Sequence, residues 1–127
     1  MKNGNKLLAD ILSAHFLNGG STFSLTSKQN MSGQSGFCLS IFPDREKIIA
    51  EVLTKSKLQS YIEKNKDLLD RENVCLGTWT DSVSRKTYID CIIIAKTKRL
   101  ALKLAIDHKQ NAIFNLKSGD TIYFKGE

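Results

Sequence analysis

Two β-rich runs, Val74-Cys75-Leu76-Gly77-Thr78-Trp79-Thr80 and Lys86-Thr87-Tyr88-Ile89-Asp90-Cys91-Ile92-Ile93-Ile94, stand only five residues apart. The connection Asp81-Ser82-Val83-Ser84-Arg85 has the length of a hairpin turn, whereas a parallel crossover requires a dozen residues or more. The pair is therefore expected to form an antiparallel hairpin at the centre of a sheet, and the rest of the chain is read around it.

The flanking segments supply helices and further strands. Leu7, Leu8, Ile11, Leu12, His15 and Phe16 follow helical spacing over 6–17, and Asn18-Gly19-Gly20 stops that helix. From Asn18 to Gly36, 15 of 19 residues are Ser, Thr, Gly, Asn or Gln. Thr22–Leu25 alternates as a short strand does, and 26–35 reads as a mobile loop that buries too little area to offset its chain entropy. Over 36–42 a strand is expected with Phe37, Leu39 and Ile41 on one face, ending where Pro43 cannot donate to a ladder. Asp44 and Glu46 sit as an N-cap and acidic first turn before Ile48, Ile49, Val52 and Leu53, whose spacing is helical with a strand as the alternative.

A second helix from about Ser56 turns Leu58, Tyr61, Ile62, Leu68 and Leu69 inward and leaves Lys57, Glu63, Lys64, Lys66 and Asp67 in solvent. A third, Lys98 to Gln110, is apolar around most of its circumference and is expected to pack on more than one side. Ala112–Leu116 and Thr121–Phe124 flank the turn Lys117-Ser118-Gly119-Asp120 as a second hairpin. With hairpins in place of βαβ crossovers, this order predicts an α+β fold. A mainly antiparallel sheet would carry about three helices on one face, in a single domain over 1–127.

Several function classes lack the residues they need. No apolar run approaches the ~18 residues that span a bilayer, and no secretory core follows the N-terminus, so a cytoplasmic protein without membrane contact is expected. Cys38, Cys75 and Cys91 are odd in number and include no C-x-x-C pair, the pattern of reduced thiols rather than a disulfide framework. Only His15 and His108 could join them at a metal, and no metal or other cofactor is expected. Gly19-Gly20 and Ser32-Gly33-Gln34-Ser35-Gly36 lack the spacing of phosphate-binding loops. Cys91 or Cys38 with His108 and Asp90 is the one nucleophilic set considered, and no local spacing brings it together, so no catalytic residue is assigned.

Charge is more informative. There are 19 Lys and Arg against 13 Asp and Glu, a formal charge of +6, and residues 85–103 alone hold six basic side chains and one acidic. Arg85 and Lys86 at the hairpin tip, with Lys96, Lys98, Arg99 and Lys103 near a helix start, form a candidate patch for phosphates or an acidic protein surface. The alternative is a scattered set of solvating charges. The sequence holds no helix-turn-helix, zinc-finger or aromatic-basic RNA-binding pattern. Asp90, inside an apolar strand, is an edge charge, a group satisfied by Gln110 or Asn111, or a functional carboxylate. Trp79 and Tyr88 suit a cross-strand aromatic pair, expected in the hairpin core.

The residues Gly77-Thr78-Trp79, Tyr88-Ile89-Asp90-Cys91, Ala101 with Leu104-Ala105, and His108-Lys109-Gln110-Asn111-Ala112-Ile113-Phe114-Asn115-Leu116 resemble a motif order found in small phage and mobile-element proteins. Gly36-Phe37-Cys38-Leu39-Ser40 and Pro43-Asp44-Arg45 extend the resemblance to about residues 36–124. It implies a non-enzymatic accessory protein that binds a host protein or nucleoprotein complex in the host cytoplasm, a host-defence system included. The alternatives are a nonspecific nucleic-acid binder using the 85–103 cations, or a small-molecule or nucleotide-binding protein or enzyme.

Overall fold

A computed structural model describes residues 2–50 and 52–124, with side chains from Lys6 onward. In chain order the elements are α1 (Lys2–Asn18), β1 (Gly20–Ser24), β2 (Gln29–Asn30), β3 (Phe37–Leu39), a 3-10 turn (Pro43–Arg45) and β4 (Lys47–Ile49). They continue with α2 (Lys55–Lys64), α3 (Lys66–Leu69), β5 (Val74–Thr80), β6 (Thr87–Ala95), α4 (Lys98–Asp107), β7 (Ala112–Asn115) and β8 (Thr121–Tyr123). The strands form one antiparallel sheet in the order β2-β1-β5-β6-β3-β7-β8, with β4 also paired to β6. The fold is α+β, as the hairpin pattern implies.

The β5–β6 hairpin is the axis of this sheet, running from Val74 opposite Ile93 to Thr80 opposite Thr87. On β6, Thr87, Ile89, Cys91, Ile93 and Ala95 are buried while Tyr88, Asp90, Ile92 and Ile94 are half-buried, the two-residue period of a sheet with one covered face. Leu76 lies opposite Cys91 and shares the covered face, where Leu8 and Ile11 of α1, Leu58 and Tyr61 of α2, and Ala101 and Ala105 of α4 join one core. Burying a side chain such as Ile89 or Leu76, both fully inaccessible, contributes about 1.5–3 kcal/mol.

The other side of β6 is shared. β3 pairs with its last residues, Phe37 opposite Ala95, and β4 with its first, Ile49 opposite Thr87. Between them, residues 40–46 leave the sheet and return. The strand expected over 36–42 is accordingly shorter, and the helical spacing of Ile48, Ile49, Val52 and Leu53 is corrected to β4 followed by a link into α2. The β-branched pair Ile48-Ile49 finds a strand partner in the start of β6, and that tertiary pairing overrides the local spacing. Thr54 and Thr97 cap α2 and α4, each side chain accepting from the backbone N–H three residues on.

Two further expectations are corrected. Helix α4 packs on one side only, because Ala101 and Ala105 meet the sheet while Leu100 and Ile106 stay exposed. Within the segment expected to be a loop, Gln29–Asn30 forms β2 against β1. Met31 N–H extends the pairing to Thr22 O at 2.8 Å, and Gly33 N–H donates to Leu116 O at 3.0 Å. Gly36 then enters β3 at φ +142°, where an added Cβ would lie 2.5 Å from Ile94 Cγ2, so glycine fits both the backbone and the space.

Candidate functional site

Among the described residues, the helices lie on one side of the sheet, and none packs on the face that carries Trp79. There Trp79, Tyr88 and Ile48 lie side by side across β5, β6 and β4, and the two rings meet at 5.4 Å and 31°. The aromatic pair forms as expected, but its place in the core is corrected, since Trp79 is 55% and Ile48 52% exposed. Parity is the reason: Leu76, Thr78 and Thr80 turn toward the helices, which sends Cys75, Gly77 and Trp79 the other way.

Other apolar side chains gather at the same end of the sheet. Thr80 N–H donates to Gly19 O at 2.9 Å, which holds the end of α1, with exposed Phe16 and Leu17, beside the hairpin. Val83 stands at the β5–β6 turn and Val52 just beyond β4. Of the ten exposed large apolar residues among the described residues, six thus lie at this end of the sheet; Leu100, Ile106, Phe114 and Tyr123 are spread over α4, β7 and β8. Single exposed apolar residues are ordinary, whereas several side by side, as Trp79, Tyr88 and Ile48 are, mark a contact surface.

Asp90 lies on the same face as Trp79 and Tyr88, opposite Gly77, where the sheet is no longer exposed. It belongs to the central strand, which corrects the reading as an edge charge. Its Oδ1 is buried without a hydrogen-bond partner, and no hydrogen bond joins it to Gln110 or Asn111 among the described residues. Gln110 instead donates its backbone N–H to Ala105 O, and Asn111 O accepts from Phe124 N–H. Burial pushes the Asp90 carboxyl up to about 6; the Ser40 hydroxyl beside it pulls the other way, and Glu46 adds to the rise.

The detour between β3 and β4 is clamped to the helical layer. Arg45 donates to both carboxylate oxygens of Asp67 at 2.9 Å and to Asn65 Oδ1 at 3.1 Å, while Tyr61 O–H donates to Arg45 O at 2.7 Å. The guanidinium hydrogen bond holds the Asp67 carboxyl down to about 2. Together with Asp44, Glu46, Lys47, Ile48 and Lys64, these residues line an open cleft of about 790 Å³ along the outer side of β4.

The candidate cations do not all come together. Arg85 and Lys86 precede β6 and Lys96 follows it, so the full strand, about 26 Å at ~3.3 Å per residue, separates the hairpin tip from the start of α4. Lys98, Arg99 and Lys103 lie with Lys96 at or near that helix start, and all six side chains are exposed. Arg85 and Lys86 belong to the apolar end with Trp79 and Val83.

The groups considered for nucleophilic chemistry are held in other states. Burial pushes the Cys38 thiol up to about 12 and Cys75 up to about 11, and raises Cys91, so each is a neutral thiol near pH 7. Cys91 faces the helices, opposite in parity to Asp90, and His108 is exposed at the C-cap of α4. His15 is buried beneath α1 in a hydroxyl network that spacing alone does not reveal. Its Nδ1 meets Thr78 Oγ1 at 2.8 Å and its Nε2 Thr80 Oγ1 at 3.0 Å; Ser21 and Thr87 extend the chain. Both ring nitrogens are engaged, and burial lowers the pKa of the ring.

No helix among the described residues is long and apolar enough to cross a membrane, and no group of three or more His, Cys, Asp or Glu among them could hold a metal ion. No protein-family model matches the chain, and no curated protein or solved structure does. Fold and site together define a helix-backed antiparallel sheet whose other face is buried at Cys38 and Cys75 and exposed at Trp79 and Ile48, toward an apolar, basic end.

Proposed function

We propose that this protein acts by binding a partner protein, through the end of the sheet that carries Trp79, Tyr88, Ile48, Val52, Val83, Phe16 and Leu17, with Arg85 and Lys86 beside them. The observation that carries this reading is the concentration of exposed apolar side chains at one end, which water alone disfavours and a protein surface would cover. A large exposed Trp and an adjacent Arg are also the residue types most often dominant in protein contacts. The resemblance of its motif order to that of small phage and mobile-element proteins supports a host protein, a component of a defence system included, as the partner in the host cytoplasm. Nucleic-acid binding through phosphates is the weaker reading, because the two cation groups stand a strand length apart and exposed apolar residues contribute nothing to phosphate contact.

Affinity purification from the encoding cell, with wild type, Trp79→Ala and the double variant Arg85→Glu, Lys86→Glu, tests the proposal. A partner lost with either variant while both remain folded supports it. A partner retained by both places the contact elsewhere, and a salt-sensitive shift of any DNA or RNA oligonucleotide, equal across sequences, would favour the phosphate reading.

A further inference from the structure

Strand β4 is paired on one side only. β3, which lies beside the other half of β6, has β7 on its outer edge, Cys38 opposite Phe114, but no strand occupies the equivalent place beside β4 among the described residues. The direction of the backbone groups there follows from the hairpin turn. Asp81 N–H donates to Lys86 O at 2.9 Å, and paired positions in an antiparallel ladder recur at every second residue. Lys86, Tyr88 and Asp90 therefore exchange bonds with β5, while Thr87 and Ile89 turn theirs toward β4, where Ile49 and Lys47 face them. The same alternation puts the outward groups of β3 at Gly36 and Cys38, and Leu116 N–H indeed donates to Gly36 O at 3.0 Å.

The N–H and C=O of Ile48 consequently point out of the sheet, along the 790 Å³ cleft. An edge with unpaired backbone groups is a template for another strand. Its two sides differ in chemistry. Ile48 continues the apolar row of Trp79 and Tyr88 on the face away from the helices. On the helix side, Lys47 and Lys64 line the cleft without an ion pair among the described residues, while two of its three carboxylates, Asp44 and Asp67, are already held by Arg45 and the third, Glu46, precedes β4, so two cations face one free acid. We propose that an extended segment of a partner polypeptide joins the sheet along the free edge of β4, apolar where it lies beside Ile48 and acidic where it meets Lys47 and Lys64. The proposal rests on the protein-binding reading above and specifies how the partner is held.

A displayed library of random short peptides, selected on the immobilised full chain, supplies the probe. Ile48→Pro removes the outward N–H but none of the ladder bonds, a place where an edge strand tolerates proline, and Ile48→Val keeps both the N–H and the apolar side chain. Selected peptides should alternate apolar and acidic residues, lose affinity by about tenfold on Ile48→Pro, and bind Ile48→Val as they bind wild type. On wild-type protein they should slow hydrogen exchange at the Ile48 amide, a readout that decides the question even if Ile48→Pro fails to fold. Failure to select any peptide, equal binding by folded Ile48→Pro, or an unprotected Ile48 amide overturns the proposal. Peptides weakened by Trp79→Ala but not by Ile48→Pro would remove strand addition while leaving the binding reading in place; peptides indifferent to both would remove both.

Discussion

Asp90→Asn should make this protein more stable at neutral pH, and by an amount that varies with pH. The carboxyl sits in the central strand with Oδ1 buried and without a partner among the described residues, and is raised from its ordinary 3.8 to about 6. A folded-state value above the unfolded one means that the native state binds the proton more tightly. The stability Asp90 contributes is therefore fully present below about pH 4 and lost as pH rises through about 6. At ~1.36 kcal/mol per pH unit, the loss between pH 4 and pH 7.5 is about 2–3 kcal/mol, a sizeable part of the ~5–15 kcal/mol that holds a domain together. Asparagine is nearly isosteric and does not titrate. Urea unfolding of both proteins at half-unit intervals from pH 4 to 7.5 isolates the effect, because every other titrating group contributes to both curves. The variant should match wild type near pH 4 and exceed it by about 2–3 kcal/mol at pH 7.5. Parallel curves, or a wild type that gains on the variant as pH rises, would show that water or a rotated side chain satisfies the carboxylate.

Other sites give independent checks. His15 should titrate below 6.5 by NMR, since burial favours the neutral ring; its contribution is present above about pH 6.5 and lost as pH falls, opposite in sign to that of Asp90. A midpoint at or above 6.5 would place the ring in solvent. Leu76→Ala should lower stability by about 2–5 kcal/mol and Trp79→Ala by less than about 1 kcal/mol, because the first side chain is fully buried and the second more than half exposed. Thermal melts that rank them the other way would reverse the assignment of covered and open faces. Tyr61→Phe removes the donor to Arg45 O and should cost about 1 kcal/mol, with faster amide exchange over residues 40–46; unchanged exchange there would show that Arg45–Asp67 holds the detour alone.

Much of the fold is legible in the sequence because hairpins and amphipathic helices are local. The β5–β6 pair, α1, α4 and the β7–β8 pair each announce themselves through periodicity and turn residues within one short window. What escapes is whatever depends on a distant partner. Ile48-Ile49 spaced before Val52-Leu53 fits a helix as well as a strand, and only the start of β6 decides. The faces of β5 are equally ambiguous, since Cys75 and Trp79 on one and Val74 and Leu76 on the other offer no contrast in hydrophobicity. Arg45 and Asp67, 22 residues apart, show no sign of their pairing. The separation of Arg85 from Lys96 is different in kind: a hairpin tip and the helix that follows the same strand must lie at its opposite ends.

The arrangement of strands around β6 also governs the order in which this chain can become structured during synthesis. β1 finds its inner neighbour only in β5, more than fifty residues later, and β3 and β4 both wait for β6. From β5 onward, by contrast, each strand meets a hairpin partner close in sequence. Within this domain the segments made earlier are therefore the last to be able to settle, since pairings of large separation cannot repay loop closure until the later hairpin exists. Until then the apolar stripe of α1 and the sequence of β1 remain uncovered, a nascent segment for a chaperone to hold. A ribosome stalled after residue 70 should display a protease-sensitive α1–β4 segment, and release of the β5–β6 hairpin should bring protection to β1, β3 and β4 together.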